Sequence, residues 1–360
     1  MRVLHLAKFY FPRKGGIETA TKNIAEYRDS NYHHLVFTNG LGEVKNNKGN
    51  TIVYSNQFFS FGSQPISLGY LRGFIKNRSF KDIVHYHHPN YWAALIAILL
   101  PTRSLIVHWH ADVEVKNRIL KFILSRLEKK VAFRAKKIII GTNTYAGHSH
   151  SLTGFEHKFE IIPYGIQQLT HEIDLSKKRN TFLTVGRLVS YKGIAELVDN
   201  IQIPSDWKWI IVGSGPEKAQ IKRLISARQL DSKIILMGNV DDKKLSEIYA
   251  HSKIFLFPSL TRAESYGIVQ VEAMKNGLAI LNFKIEGSGV PELIISGENG
   301  YTCDHANYDI FNERLVELCS NSSLLDKFQN RSISHFKEKY LVLTYQSRIE
   351  GVYAEVCSEL

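Results

Sequence analysis

Short apolar segments alternate with amphipathic segments along the whole chain, and this alternation constrains the fold more than any other feature. The apolar segments have the length of single strands, and the segments between them have the apolar spacing of helices. Strands that alternate with helices pair in parallel, because each helix carries the chain back to the start of the next strand. The sequence therefore predicts an α/β protein with strands near residues 3–7, 35–38, 52–55, 83–87, 105–110, 138–141, 161–163, 182–185, 209–212, 234–237, 254–257 and 279–282.

The length of the chain indicates two domains, because 360 residues exceed what one ordinary hydrophobic core accommodates. A polar stretch at residues 167–180 precedes a fresh apolar strand and is the best linker candidate. We expect the first domain to cover residues 1–166 and the second to cover residues 178–343.

The composition is that of a globular protein, with 44% hydrophobic and 22% charged residues. The three cysteines show neither a pairing pattern nor metal-ligand spacing, which indicates a reducing compartment. The longest apolar stretch, residues 91–100, is shorter than the roughly 20 residues that span a bilayer, and no targeting segment is visible. We expect a cytoplasmic protein, soluble or peripheral to a membrane.

The formal net charge of +12 is concentrated in residues 116–137, which carry nine basic residues and one acid, Glu128. Apolar residues repeat at helical spacing in the same segment. Such a helix can lie on an anionic membrane leaflet, or it can pack its apolar stripe on the sheet and leave its lysines in water. We expect membrane docking. We expect no nucleic-acid binding, since no aromatic-basic recognition module accompanies the charge.

Two glutamates, Glu264 and Glu272, follow the apolar strand that ends at residue 257. A helix is predicted to begin near Ser265 or Tyr266, and eight residues of helix correspond to about 12 Å along its axis. The two carboxylates would then lie on similar azimuths and could hold two hydroxyl-rich groups of one elongated ligand, such as a nucleotide sugar. Acidic residues also favour the first turn of a helix for electrostatic reasons, so the pair alone leaves both interpretations open.

Two cations, Arg187 and Lys192, follow the apolar strand that ends at residue 185, and Gly193 is predicted to open the next helix. Open α/β folds bind ligands at such strand ends. An arginine fork and a lysine point charge are suited to a diphosphate, and they would offset the charge of a departing nucleoside diphosphate.

Several motifs together resemble glycosyltransferase family 4, whose members are retaining enzymes with the GT-B fold. They are Gly186-Arg187 with Lys192-Gly193, the loop Val212-Gly-Ser-Gly-Pro216, Glu264 with Glu272, the glycine loop Gly15-Gly16, Asp82-Ile-Val-His-Tyr-His87, and His110-Ala-Asp112. His110 and Asp112 followed by a basic helix are most similar to bacterial O-antigen and capsule mannosyl- and rhamnosyltransferases. The resemblance implies two Rossmann-like domains whose parallel sheets face each other across a cleft. It also implies that the last helix, from about residue 344 to 360, packs on the first domain.

The resemblance implies catalytic roles for His110, Glu264, Arg187 and Lys192. Glu264, His110 and the Gly15-Gly16 loop would hold the transferred sugar, and Glu272 would bind the ribose. The other donor-binding residues that it implies are Gly213, Asn239, Val240, Tyr266, Gly267 and Ile268, and His87 and Asp112 would lie on the acceptor side.

The histidines of two neighbouring strands raise the question of a metal. His85 and His87 share one strand, and His108 and His110 share the next, so four imidazoles could converge. Arg187 and Lys192 already serve diphosphate departure, and we expect no metal and no other cofactor. We expect His85 and His108 to point the other way on their strands from His87 and His110 and to be structural.

The resemblance thus implies a retaining hexosyltransferase. Its donor would be a nucleotide-diphosphate sugar, with GDP-mannose or GDP-rhamnose preferred and UDP sugars open. Its acceptor would be a glycan or an undecaprenyl-linked saccharide at the inner leaflet, in surface polysaccharide synthesis. A nucleotide-sugar epimerase of GT-B fold and a non-catalytic carbohydrate- or membrane-binding protein remain as alternatives.

Overall fold

The computed structural model of the chain describes residues 2–13, 15–27, 31–40, 44–47, 50–56, 59–61, 64–77, 83–100, 102–113, 115 and 117–359. Asp82 and Lys116, which belong to the motifs above, lie outside the described residues. The chain divides into two compact units. Unit 1 comprises Met1–Gly165 and Val342–Leu360, and unit 2 comprises Ile166–Leu341.

Unit 1 contains an eight-stranded sheet, in which every pair of neighbours is parallel except β3 and β4. Its strands are β1 (Arg2–Leu6), β2 (His33–Asn39), β3 (Val44–Asn47), β4 (Asn50–Ser55), β7 (Ile83–His88), β8 (Leu105–Trp109), β9 (Lys137–Ile140) and β10 (Phe159–Ile161), in the order β10-β9-β8-β7-β1-β2-β4-β3, and a separate hairpin pairs β5 (Phe59–Phe61) with β6 (Gln64–Ile66). The helices of its first segment are α1 (Gly16–Ala25), α2 (Leu68–Lys76), α3 (Tyr91–Leu99), α4 (Arg118–Arg134) and α5 (Asn143–Gly147).

Unit 2 contains a six-stranded sheet of parallel strands. Its strands are β11 (Arg179–Val185), β12 (Lys208–Val212), β13 (Ile234–Gly238), β14 (Ser252–Phe257), β15 (Ala279–Phe283) and β16 (Gly300–Cys303), in the order β13-β12-β11-β14-β15-β16. Its helices are α6 (Ile194–Asn200), α7 (Lys218–Ala227), α8 (Asp242–His251), α9 (Ile268–Lys275), α10 (Tyr308–Ser320) and α11 (Ser322–Lys339). The core of this unit includes the buried side chains of Phe182, Trp209, Leu256 and Leu281.

The last helix of the chain, α12 (Val342–Ser358), belongs to unit 1. It lies beside α1, and the Gln346 side chain donates a hydrogen bond to the Asn23 carbonyl. The hydroxyl of Tyr353 on α12 lies 2.6 Å from His85 Nδ1. The final helix therefore covers part of the sheet that begins the chain.

Each predicted strand overlaps an observed strand, and the predicted α/β class is confirmed. Some boundaries differ. The predicted linker at 167–180 runs into β11, which begins at Arg179, and Lys178 is already buried with its ammonium group donating to the Ser252 carbonyl at 2.6 Å. The helix predicted from Ser265 or Tyr266 begins at Ile268, after Gly267 in the left-handed region with a φ of 80°. The basic segment predicted at 116–137 forms a helix over Arg118–Arg134 alone.

The two faces of the unit 1 sheet differ in chemistry. One face is apolar and includes Leu4, Tyr86 and Trp109, which pack into a buried cluster. The other face carries six buried histidines: His5, His34, His85, His87, His108 and His110. The expectation that His85 and His108 point away from their neighbours is wrong, because alternate residues of a strand share one face. The ring centroids of His85 and His87 lie 4.5 Å apart, and those of His108 and His110 lie 4.2 Å apart.

Burial keeps these imidazoles neutral. Loss of hydration lowers the pKa of His34 to about 4 and that of His87 to about 3. It also lowers the pKa of His5, His85, His108 and His110, where charge repulsion between neighbouring rings acts in the same direction. The folded unit therefore binds fewer protons than the unfolded chain below the ordinary histidine pKa.

The first prediction concerns acid sensitivity of unit 1. The free energy of unfolding of unit 1 should have its full value above a pH of about 6.5. It should decrease as the pH falls toward the pKa values of the folded state, by up to about 1.4 kcal/mol per pH unit for each neutral histidine. Hydrogen exchange of the amides in β7 and β8 at pH 7.5, 6.5 and 5.5, corrected for intrinsic rates, measures this loss. Strands β14 and β15, which carry no histidine, serve as the internal control. Equal protection of β7 and β8 at all three values would contradict the neutral state.

The second prediction concerns Gly193, which precedes α6 with a φ of 63°. A Cβ at this position would lie 2.1 Å from the Pro258 carbonyl oxygen. Gly238 has a similar φ of 67°, but only the mobile end of Lys218 lies within 4 Å of its Cβ position. Gly238→Ala should lower the free energy of unfolding by about 1 kcal/mol, the lower end of the range for a left-handed non-glycine residue. Gly193→Ala should lower it by more than about 3 kcal/mol, because the clash with backbone adds to that strain. Urea unfolding of both variants tests the difference, and equal losses would contradict it.

Candidate functional site

Two neighbouring strands of unit 2, β11 and β14, deliver opposite charges to the carboxyl edge of the sheet. Lys192 ends a short 3-10 turn after β11, and Glu264 lies in the loop after β14. Lys192 Nζ and Glu264 Oε2 form an ion pair, and the two side chains are only 12% and 13% exposed. Each charge is therefore largely withdrawn from water and is stabilised by the other.

Backbone and hydroxyl hydrogen bonds hold the two loops in place. The Leu260 N–H donates to the Tyr191 carbonyl at 2.9 Å, which joins the loop after β14 to the loop after β11. The Ser288 hydroxyl donates to the Glu264 carbonyl at 2.5 Å, and the Gly289 N–H donates to the Ser265 carbonyl at 3.0 Å. The position of the Glu264 carboxylate is thus set by contacts on both sides of its loop.

Arg187 and Glu272 take other partners. The Arg187 guanidinium is exposed and donates to the Tyr191 hydroxyl at 3.1 Å. Glu272, on α9, accepts a hydrogen bond of 3.0 Å from the Tyr249 hydroxyl. Burial raises the pKa of Glu272, although the hydrogen bond from Tyr249 and the nearby Lys275 act in the opposite direction. The structure therefore brings Lys192 and Glu264 into direct contact and holds Arg187 and Glu272 through tyrosines.

The other predicted donor-binding residues of unit 2 lie at strand ends and at a helix start. Gly213 follows β12 with a φ of 141°, and a Cβ there would lie 1.8 Å from the Gly186 carbonyl oxygen, so only glycine allows these two loops to meet. Asn239 is exposed and Val240 is half-buried, directly after β13. Tyr266 is buried, Gly267 is the N-cap of α9, and Ile268 is its first residue.

In unit 1, Gly15 and Gly16 lie at the beginning of α1. The carboxylate of Glu18 folds over the start of this helix, because a Cβ on Gly15 would lie 2.3 Å from Glu18 Oε2. An acid in the first turn compensates the helix dipole. An anionic ligand at this helix start would therefore have to displace the Glu18 side chain.

His110 follows β8, and the protein occupies both of its ring nitrogens. Its Nδ1 lies 2.7 Å from the Tyr164 hydroxyl, and its Nε2 lies 3.0 Å from His87 Nδ1. Only 5% of His110 is exposed. A ligand that hydrogen-bonds to the His110 ring must therefore replace one of these two partners.

Asp112 is held by three groups of unit 1. Its Oδ1 accepts hydrogen bonds from Trp109 Nε1 and from the Ser149 hydroxyl, each of 2.7 Å. Its backbone N–H donates to the Tyr145 hydroxyl at 2.6 Å. The carboxylate has a defined orientation as a result.

Among the residues that the structure describes, the buried histidines have the spacing for a shared metal. The nitrogens of His5, His85 and His87, and those of His87, His108 and His110, lie within 4.8 Å of one another. Within each strand, however, the rings stack face to face, so their in-plane lone pairs run side by side instead of meeting at one point. The donors suit a hydrogen-bonded chain better than a metal centre. The expected independence from metal stays a prediction.

Several residues of these networks were not identified from the sequence. Tyr249, Tyr191 and Tyr164 supply hydroxyls to Glu272, Arg187 and His110, and ordinary tyrosines carry no local signal of such a role. His5 could have been noticed, because a histidine between two leucines in a predicted strand is an uncommon buried polar group. His34 lies just outside the strand predicted at 35–38 and carries no such signal.

Both halves of the chain are similar to known glycosyltransferase families. Residues 14–167 match Glycosyltransferase Family 4, and residues 165–335 match Glycosyl transferases group 1. The O-antigen chain mannosyltransferase C of Escherichia coli is 26% identical over 94% of each chain. The D-rhamnosyltransferase WbpZ of Pseudomonas aeruginosa is 27% identical over 83% of this chain and 82% of its own.

Solved structures share the fold over the full length. Sucrose-phosphate synthase from Thermosynechococcus elongatus has a TM-score of 0.81 at 13% identity, with complete coverage of both chains. Anabaena HepE in complex with UDP-glucose has a TM-score of 0.78 at 17% identity, also with complete coverage. With its family 4 half and its group 1 half, the chain belongs to the GT-B glycosyltransferases of family 4 and is a hexosyltransferase.

Proposed function

We propose that the protein is a retaining glycosyltransferase that moves a hexose from a nucleotide-diphosphate sugar to a glycan or an undecaprenyl-linked saccharide in surface polysaccharide synthesis. The observation that carries this proposal is the largely buried Lys192–Glu264 ion pair at two adjacent strand ends, with Arg187 in the same loop as Lys192. A cation and an acid held together at a ligand-binding edge suit a donor that carries a diphosphate beside a hydroxyl-rich sugar.

In this proposal Arg187 and Lys192 bind the diphosphate, and Glu264 binds hydroxyls of the sugar. The ion pair holds the Lys192 ammonium group and the Glu264 carboxylate against each other. The diphosphate then competes with Glu264 for the Lys192 ammonium group, and sugar hydroxyls take over the carboxylate oxygens. Glu272, held by Tyr249, binds the ribose hydroxyls. Gly213, Asn239, Val240, Tyr266, Gly267 and Ile268 line the donor, together with Gly15 and Gly16 of unit 1.

The chemical step in this proposal is front-face attack. The bond from the anomeric carbon to the phosphate oxygen breaks, and the acceptor oxygen bonds to the same face of that carbon. The leaving phosphate oxygen takes the acceptor proton, while Arg187 and Lys192 offset its developing charge. The step needs neither a metal ion nor a covalent intermediate on Glu264. His110 contacts the sugar, and His87 and Asp112 belong to the acceptor side.

The relatives support the choice of donor. The names of the Escherichia coli and Pseudomonas aeruginosa relatives specify mannosyl and rhamnosyl transfer, which favours a GDP-mannose or GDP-rhamnose type of donor. Because HepE was solved in complex with UDP-glucose, a UDP sugar remains an alternative donor. A thermal-shift screen of UDP, GDP and dTDP sugars identifies the donor, because a ligand that binds the folded state raises Tm.

The third prediction separates catalysis from binding at the donor site. Lys192→Ala and Glu264→Gln should each lower kcat by roughly 100-fold or more, as loss of a preorganised electrostatic contact does. Glu272→Gln should weaken donor binding by about tenfold with little change in kcat, because it removes a charge-assisted hydrogen bond to the ribose. Steady-state transfer kinetics with the donor from the screen measure both effects, and NMR of the product should show a retained anomeric configuration.

The matched control is Glu298→Gln, which breaks the ion pair of Glu298 with Arg331 elsewhere in unit 2 and should leave kcat and KM unchanged. The Tm of each variant shows whether the variant is folded. An inverted product, or a glycosyl group trapped on Glu264, would contradict the proposed step. Donor turnover without an acceptor would instead support an epimerase.

We also propose that α4 attaches the protein to the inner, anionic leaflet of the plasma membrane. The helix exposes apolar side chains among its basic ones: Ile119 is 73% exposed, Phe122 is 58% exposed and Ile123 is 55% exposed. Its later part packs on the sheet through Val131. No helix in the described part of the chain has the length and apolar character needed to cross a bilayer. An amphipathic helix with this pattern binds through apolar area together with charge attraction.

The fourth prediction tests this surface with vesicles. Lys121→Gln with Lys129→Gln should weaken binding to phosphatidylglycerol vesicles by about 30-fold at low salt, because each cation near an anionic surface contributes about 1 kcal/mol. Co-sedimentation measures the binding. The matched control, Lys222→Gln with Arg223→Gln on α7, removes the same charge from exposed positions of unit 2. Equal effects of the two double variants would contradict a specific role for α4.

A further inference from the structure

Four buried imidazoles of unit 1 form one continuous hydrogen-bonded chain across the sheet. His110 Nε2 lies 3.0 Å from His87 Nδ1, and His87 Nε2 lies 3.0 Å from His5 Nδ1. His5 Nε2 lies 2.7 Å from His34 Nδ1. Each contact joins a different pair of neighbouring strands, from the end of β8 through β7 and β1 to β2. At the carboxyl edge of the sheet the chain ends on the Tyr164 hydroxyl, 2.7 Å from His110 Nδ1.

Neutral rings restrict the hydrogens of this chain to two arrangements. Burial keeps each imidazole neutral, so each ring has one N–H group and one lone pair. Every contact between two rings needs one hydrogen. The contacts are all satisfied only when every ring has its hydrogen on Nδ1, or when every ring has it on Nε2. A single ring of the other kind would place two hydrogens or two lone pairs against each other inside the protein.

Thr21 distinguishes the two arrangements. Its hydroxyl donates to the Ile17 carbonyl at 2.9 Å, so its oxygen can only accept a further hydrogen bond. That oxygen lies 3.3 Å from His87 Nδ1. The contact favours a hydrogen on His87 Nδ1, and through the shared contacts it favours the same tautomer in every ring of the chain.

We propose that His87 is a positioning residue that holds His110 as the Nδ1–H tautomer, and that His5 and His34 share the arrangement that Thr21 favours at His87. The Tyr164 oxygen then accepts the hydrogen bond from His110 Nδ1, and the hydrogen of the Tyr164 hydroxyl points away from the His110 ring. A sugar oxygen that reaches His110 meets a hydrogen-bond donor at Nδ1 and takes the place of the Tyr164 oxygen. This last step rests on the proposed function, whereas the tautomer itself is a property of the protein without a ligand.

The fifth prediction is a pattern of histidine tautomers, which NMR measures on the full-length protein labelled with ¹⁵N-histidine. At pH 7.5 and without substrate, long-range ¹H–¹⁵N spectra should show His34, His5, His87 and His110 neutral, each with its hydrogen on Nδ1. Assignment uses single histidine substitutions. Nε2–H at any of the four rings, or a mixture in the wild-type protein, would overturn the proposal. Failure of the transferase assignment would leave this result unaffected.

Two matched variants test whether the chain transmits the tautomer. His5→Phe removes the link between His87 and His34, and a population of Nε2–H should then appear at His34, whereas His110 keeps its contact with His87 and stays Nδ1–H. His85→Phe is the control, because His85 lies opposite His5 in the sheet and stacks on His87 but has Tyr353 as its partner. His34 and His110 should both keep a single tautomer in that variant. An unchanged His34 signal in His5→Phe, or equal changes at His34 in both variants, would refute transmission through the hydrogen-bonded rings.

A second substitution tests the cause of the preference without interrupting the chain. Thr21→Val preserves the shape of the side chain and removes the oxygen that faces His87 Nδ1. Nε2–H should then appear together at His87 and His110, because the remaining contacts are satisfied by either arrangement. Nε2–H at one of these rings alone would contradict a shared arrangement.

Discussion

The backbone hydrogen bond from Leu260 to Tyr191 joins the two loops that carry the charges of the candidate site. Strands β11 and β14 are neighbours in the sheet, so their following loops begin side by side. Gly193 allows the first loop to turn where the Pro258 carbonyl leaves no room for a side chain. Lys192 and Glu264 meet as a consequence of this backbone geometry. Because neither side chain is well exposed to water, each charge depends on the other, and the pair in turn stabilises the loops.

In unit 1, the polar rings of six histidines are buried on one face of the sheet. Six imidazoles lose their hydration there, which disfavours the charged form of each. Four of them, His34, His5, His87 and His110, hydrogen-bond to one another across strands. His85 has Tyr353 as its partner, and His108 stacks on the rings of His85 and His110. The helix α12 closes this face through Tyr353, although it comes from the far end of the chain. The same network therefore links the stability of unit 1 to the state of His110 at the strand end.

Much of the fold could be predicted because the signal is local. Apolar runs such as Ile254 to Phe257 identify buried parallel strands without knowledge of their partners. The strands that were missed lack this signal. β3 consists of Val44–Asn47 and is mostly polar, and β16 (Gly300–Cys303) is a short edge strand that begins with glycine. The two strands of the hairpin, β5 and β6, are also short. These segments become strands only because a neighbouring strand offers them hydrogen-bond partners.

The chemistry of the candidate site was also partly visible in the sequence. The residue types and their places after strands indicated two cations and two acids near one sheet edge. Their pairing was not visible, since Arg187 and Glu272 rely on tyrosines that have no sequence signature. The orientation of His85 and His108 was predicted wrongly, although the period of a strand already places them beside His87 and His110.

The amino-acid sequence by itself determined the alternation of strands and helices, the positions of the charged residues after particular strands, and the family to which those motifs belong. Only the tertiary structure decided which groups touch: Lys192 with Glu264, Tyr249 with Glu272, and the histidines with one another. The physical reason is that periodicity and propensity act between residues close in the chain. Partners such as His5 and His87 are brought together by the order of strands in the sheet, which local patterns do not encode.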